Sequence, residues 1–147
     1  MSNLDQFLNK ITCGDCLELI KKLSDESVDF ICQDPPYNIT SCDWEWDIIT
    51  KIDELWMHWK RIIKPKGAIV MTSSQPFTSA LVMSNLKMFK YEWIWDKRLP
   101  SGFQLAKYRP MMRHENILVF STGTPKYNPI MIEQNPRKGG GFKKSSL

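Results

Sequence analysis

The sequence predicts an α/β fold with a doubly wound, mostly parallel sheet and an antiparallel strand pair near the C-terminal end. Three observations lead there. Apolar runs of strand length alternate three times with helix-spaced segments between residues 10 and 86. The second run, Val28 to Cys32, is almost continuously apolar, as a strand covered on both faces should be. Beyond Tyr91, two strand-like segments stand with no helix-length pattern between them, which favours antiparallel pairing.

Taken in order, Lys10 to Cys13 reads as a short strand, and Leu17, Ile20 and Leu23 follow at helical spacing until S-D-E-S breaks the pattern. After Val28 to Cys32 comes an aromatic, acidic loop, S-C-D-W-E-W-D. Ile48, Ile52, Leu55, Trp56, Trp59, Ile62 and Ile63 then mark one face of a long amphipathic helix that stops at K-P-K-G. Its tryptophan pair reads as core and His58 as a residue of the helix surface. Ala68 to Thr72 resumes as a strand, and a shorter helix covers Pro76 to Leu86. Tyr91 to Asp96 and Glu115 to Phe120 form the antiparallel pair, joined by a long loop, 97 to 114. The glycine-, proline- and lysine-rich remainder reads as loop and tail. Residues 1–125 are thus expected to form one folded unit and 126–147 a basic tail.

A length of 147 residues with 42% hydrophobic side chains is enough for one soluble domain with its own core. No apolar run approaches the roughly 20 residues of a membrane span, and M-S-N-L-D-Q-F-L-N-K lacks the pattern of an export signal. A cytoplasmic protein with no membrane partner is expected. Its cysteines, Cys13, Cys16, Cys32 and Cys42, should then be reduced thiols, most simply small buried side chains. C-G-D-C has the spacing of half a zinc ribbon, but Cys32 and Cys42 do not form a second close pair. No metal site is assigned. His58 and His114 are too isolated to add one, and neither a G-x-S-x-G nor a phosphate-loop motif occurs.

Charge is divided unevenly. Residues 1–96 carry 10 basic and 14 acidic side chains, whereas 97–147 carry 10 basic and 2 acidic. A C-terminal third of that sign suits a polyanion, nucleic acid first, and is also what a solvated basic tail looks like.

The chemistry concentrates at Asp34-Pro35-Pro36-Tyr37, directly after the apolar run. Ligands of open α/β sheets collect at the carboxyl ends of strands. Two prolines in succession fix the backbone and leave its carbonyls outside any ladder. The Asp34 carboxylate and a proline carbonyl accept hydrogen bonds, and Tyr37 offers a flat face to a planar ring. Together they suit a holder for an aromatic amine, although a rigid turn closing a strand would use the same residues.

The run I-T-C-G-D-C-L-E-L-I-K-K-L-S-D-E-S-V-D-F-I-C-Q-D-P-P-Y-N resembles the DNA amino-methyltransferases, in the permuted subgroup whose catalytic half comes first. K-P-K-G-A-I-V, W-I-W-D-K and R-H-E-N-I-L-V-F-S-T-G-T-P-K-Y-N-P are similar to later strands of that family, so the likeness covers about residues 10–130. The resemblance implies a partial Rossmann-like methyltransferase sheet, S-adenosylmethionine as cofactor and double-stranded DNA as partner. It implies that Asp34, Pro35 and Pro36 hold the exocyclic amine of a flipped base and that Tyr37 stacks on the base. Asp15, Cys16 and Asp34 would lie by the cofactor, although Asp15 is equally suited to capping the helix that follows. Lys97, Arg98, Lys107, Arg109 and Arg113 would approach DNA. Adenine N6 is the first target and cytosine N4 the close variant.

The family's Gly-rich F-x-G-x-G turn and its H-P-x-x-K-P segment do not occur. A shortened chain, or one half of a split enzyme completed by a C-terminal half or by a homo-oligomer, is therefore expected, with an incomplete cofactor site. Two further readings stay open: a non-catalytic DNA-binding remnant, and a redox or zinc protein built on Cys13 and Cys16.

Overall fold

A computed structural model describes residues 5–37 and 51–133. The order is α1 (Cys16–Ile20), β1 (Val28–Gln33), α2 (Ile52–Ile62), β2 (Ile63–Ser73), α3 (Phe77–Ser84), β3 (Phe89–Ser101), a 3-10 turn at Phe103–Leu105, and β4 (Met112–Phe120). The four strands form one sheet in the order β1-β2-β4-β3. β1 and β2 run parallel, while β4 lies antiparallel to both β2 and β3. The α/β class and the antiparallel β3–β4 pair agree with expectation; the parallel part is the single β1–β2 pair.

Alternation along the strands decides which face is covered. Ile69, Met71, Leu118 and Phe120 are fully buried and pack against Trp56 and Trp59 of α2 and Leu81 of α3. The tryptophans are therefore core, meeting each other edge to face with ring centroids 5.0 Å apart. Trp56 also donates through Nε1 to Ser84 Oγ at 2.8 Å, which ties α2 to the end of α3 while satisfying an indole N–H in an apolar setting. The intervening Val70, Thr72 and Ile117 are only half-buried, while Val119 is buried on the other face.

Several expectations change in the folded chain. Lys10 to Cys13 forms no strand; Ile11 is fully exposed, and no strand among the described residues lies beyond β1 to pair with it. For the same reason Val28–Gln33 is an edge strand, half-buried or exposed along its length, and not a strand covered on both faces. α2 ends at Ile62, one residue before K-P-K-G as expected, but β2 starts at once, so K-P-K-G is a bulge within the strand. Val28 pairs with Ile63 and Phe30 with Ala68, leaving Lys64 to Gly67 looped out opposite Asp29. Gly67 has no room for a side chain there: a Cβ would lie 2.7 Å from Ile63 Cγ1 and 2.8 Å from the Asp29 carbonyl oxygen. Ser121 and Lys126 close over the bulge, donating to the Gly67 and Lys66 carbonyls at 2.8 and 3.0 Å.

His58 is buried and not at the helix surface, 8% exposed, and its Nε2 has no hydrogen-bond partner among the described residues. The thiols of Cys13, Cys16 and Cys32 are exposed instead of packed inside, because α1 has no buried residue and β1 is an edge. Ile48, Cys42 and the S-C-D-W-E-W-D loop lie outside the described residues, as does most of the basic tail. No helix among the described residues is long and apolar enough to cross a membrane.

Candidate active site

The parallel pairing of β1 and β2 brings two carboxyl strand ends side by side. Gln33, the last residue of β1, pairs with Met71, so Asp34 stands level with Thr72. Thr72 Oγ1 donates to Asp34 Oδ1, and the Tyr37 hydroxyl donates to the same oxygen at 2.8 Å. Both donors therefore converge on Oδ1. Asp34 is exposed, and among the described residues Oδ2 accepts nothing. The carboxylate is fixed through one oxygen.

Behind it, Pro35 is buried and Pro36 half-buried, and no described N–H donates to either carbonyl. The prolines hold the turn through fixed φ angles. Tyr37 leans on Phe77 at the start of α3, with ring centroids 5.5 Å apart and planes within 20°. Burial pushes its phenol far above the ordinary range, the Asp34 carboxylate beside it adds to the effect, and the Thr72 hydroxyl opposes it. A phenol that stays protonated remains a donor to Asp34.

Thr72 and Phe77 were not singled out in the sequence. Thr72 is simply the polar residue ending an apolar run, and only the register places it against Asp34. Deeper in the same strand end, Ser73 and Thr78 are buried and joined, Thr78 Oγ1 donating to Ser73 Oγ at 3.0 Å. This bond anchors α3, and with it Phe77, to β2.

The other expected site residues gather elsewhere. Asp15 is the N-cap of α1: its Oδ1 accepts from the Leu17 and Glu18 N–H groups at 2.9 and 3.2 Å. Asp15, Cys16 and Asp34 are all exposed, and no bond or ring contact joins the first two to the Asp34 corner.

The segment 97 to 114 is not one loop. β3 continues to Ser101 and β4 begins at Met112, because Asp96 pairs with His114 and Ser101 with Met112. Lys97 is engaged with Glu115, and Arg113 with Asp96 at 3.0 Å, so both belong to ion pairs across the hairpin. Arg98 bulges out with a left-handed φ of 61°, its N–H donating to Asp96 Oδ1 at 2.9 Å. Lys107 and Arg109 stand exposed at the tip.

A half-open α/β sheet with an acceptor-lined corner at its carboxyl edge is the architecture of a methyltransferase-type fold. The solved structure of M1.HpyAVI with S-adenosylmethionine superposes with a TM-score of 0.62 at 22% identity, covering 87% of this chain and 64% of that one. The cytosine-N4-specific PvuII DNA methyltransferase gives 0.60 at 16% identity, over 88% of this chain and 58% of that one. Identities this low establish the fold.

Sequence similarity supplies the family. Type II methyltransferase M.HinfI of Haemophilus influenzae is 32% identical over 122 residues, covering 67% of this chain and 34% of the relative. M.BglII of Bacillus subtilis is 30% identical over an alignment of 172 positions that takes in 97% of this chain and 45% of the relative. The chain belongs to the type II DNA methyltransferases, and it spans between a third and a half of the length of these relatives. No protein-family model matches.

Proposed function

We propose that this chain forms the amine-presenting half of a cytoplasmic, S-adenosylmethionine-dependent DNA methyltransferase, acting on the exocyclic amine of a flipped base, adenine N6 first. The observation that carries the reading is the exposed Asp34 carboxylate, whose Oδ1 is held by Thr72 and Tyr37 at a proline-stiffened strand end, while Oδ2 accepts nothing from the described residues. The family, and the printed name of the PvuII DNA methyltransferase among its structural neighbours, support DNA as the substrate class.

An exocyclic amine is a weak nucleophile because its lone pair is delocalised into the ring. Accepting its two hydrogens, one at Asp34 Oδ2 and one at a proline carbonyl, favours a pyramidal nitrogen and returns the lone pair to it. A charge-assisted bond that strengthens by ~1.5–3 kcal/mol as charge develops contributes about ten- to a hundredfold in rate. The base would extend the Phe77–Tyr37 stack on the far face of the tyrosine ring, which partly offsets the cost of leaving the duplex. S-adenosylmethionine, once bound, supplies the methyl group.

Around that centre, Arg98, Lys107 and Arg109 would meet phosphates. Arg113 would do so only by exchanging its carboxylate partner, which costs little for an exposed pair, whereas Lys97 would have to leave the largely covered Glu115. The open edge of β1 is where a complementing half or a second copy would add a strand, completing the cofactor site around Asp15 and Cys16.

The test is transfer of a radiolabelled methyl group from S-adenosylmethionine to unmethylated DNA, using the chain alone and then with a C-terminal half of a related enzyme. Label in N6-methyladenine is expected; label in N4-methylcytosine would move the target. If the folded chain binds DNA but neither preparation labels it, the reading gives way to a DNA-binding remnant.

A further inference from the structure

The β3–β4 hairpin overshoots the sheet. β2 ends at Ser73, paired with Asn116, yet β4 begins at Met112 and β3 runs on to Ser101. At about 3.4 Å per residue, the paired arms from Glu115 to Met112 carry the tip roughly 14 Å past the end of β2. Asp34 is level with Thr72, so the projection is on the Asp34 side of the sheet. Two strand spacings of about 4.8 Å separate β1 from β4. A duplex laid across the strand ends could meet both features.

The tip is folded, not slack. Gly102 takes a left-handed φ of 84° where the chain turns into the 3-10 segment. Backbone bonds then run from Leu105 N–H to the Gly102 carbonyl, from Ala106 to Phe103, and from Tyr108 and Arg109 to Leu105, at 2.9 to 3.1 Å. That coil nevertheless leaves large apolar side chains in water: Phe103 is 73% exposed and Tyr108 85%. The segment 98 to 111 contains no acidic residue, while Lys107 and Arg109 flank Tyr108 in sequence, and no described carboxylate pairs with either.

Exposed aromatics on a rigid turn between cations match one kind of partner well. The polyanionic backbone of a duplex complements the cations, and a flat ring can enter the stack between two base pairs. We propose that the hairpin tip is a wedge for duplex DNA, with Phe103 and Tyr108 entering the base stack beside a displaced nucleotide while Lys107 and Arg109 hold the adjacent phosphates. The inference rests on the reading of the chain as a DNA methyltransferase and adds to it a device that opens the duplex. The wedge fills the space that a base leaves when it turns towards Asp34.

The test compares binding of the full chain to a fully paired duplex and to the same duplex with one abasic site, by fluorescence anisotropy over a range of salt. A wedge has less stacking to disrupt at the abasic site, so the chain should bind that duplex about tenfold more tightly. The double variant Phe103→Ala/Tyr108→Ala should lose this ratio and keep the salt dependence. Lys107→Gln/Arg109→Gln should weaken both duplexes alike and reduce the slope of log affinity against log salt by about two. All four side chains lie on an exposed turn, and an unchanged urea midpoint verifies that each variant is folded. Equal affinity of the unmodified chain for the two duplexes, or a ratio that survives loss of both rings, overturns the wedge and leaves the methyltransferase reading in place. A folded chain that binds neither duplex, alone or with the C-terminal half of a related enzyme, overturns both.

Discussion

The Tyr37 hydroxyl donates to Asp34 Oδ1 at 2.8 Å, so within one four-residue corner the aromatic side chain fixes the carboxylate. Burial first, and the neighbouring carboxylate second, raise the tyrosine pKa well above its ordinary value near 10. For an acid whose folded pKa is raised, the neutral form is favoured in the native state. Its contribution to stability is complete below about pH 10 and is lost as pH climbs towards the folded pKa. The urea midpoint should therefore fall between pH 9.5 and 11 by more in the unmodified chain than in Tyr37→Phe, with the two differing by a constant amount below about pH 9. Parallel curves across that whole range would show that Tyr37 titrates as a free phenol.

Thr72 provides the second donor to the same oxygen. Replacing it with valine keeps the shape and removes the hydroxyl, which frees Asp34 to rotate. In any preparation that transfers methyl groups, Thr72→Val should lower kcat about tenfold with little change in KM for DNA, while Thr72→Ser retains most of the rate. A change confined to KM would place Thr72 in DNA binding instead.

Gly67 sits where the β2 bulge passes Asp29. Gly67→Ala would place a methyl group inside contact distance of a backbone carbonyl and of Ile63, neither of which is free to withdraw. A loss of about 1–3 kcal/mol in urea denaturation is expected. The neighbouring Lys66→Ala, at an exposed position, should cost less than about 0.5 kcal/mol.

Arg61 fastens α1 to α2. Its guanidinium donates to the Ile20 and Leu23 carbonyls at 2.9 and 2.7 Å and meets Asp25 at 2.6 Å, satisfying carbonyls that follow a helix of five residues. Arg61→Ala should cost about 2 kcal/mol and raise amide exchange across residues 16–26. Arg61→Lys should recover less than half of this, since one ammonium cannot span both carbonyls as the planar fork does. Full recovery by lysine would reduce the contact to simple charge.

Local signals were legible where the chain's own periodicity decides the outcome. The apolar face of α2, the strand character of Val28–Cys32 and Ala68–Thr72, the antiparallel β3–β4 pair and the stiff Asp34-Pro35-Pro36-Tyr37 corner follow from side-chain spacing and from proline's fixed geometry. What neighbours decide was not legible. Lys10 to Cys13 has strand-like residues but no partner strand among the described residues, and His58 faces inward because of how α2 is seated. The 97 to 114 segment continues as ladder because Asp96, Lys97, Arg113 and Glu115 pair across it.

By itself the sequence determined the α/β class, the proline-stiffened Asp34–Tyr37 corner and the family likeness, since each depends on residues adjacent in the chain. Tertiary structure alone decided that Thr72 and Phe77 complete the corner and that Lys97 and Arg113 are engaged with carboxylates. It also decided that the hairpin tip stands beyond the strand ends on the Asp34 side. These relationships join residues distant in sequence through strand register, and register is fixed by which faces are buried, a property of the packed sheet and not of any one segment.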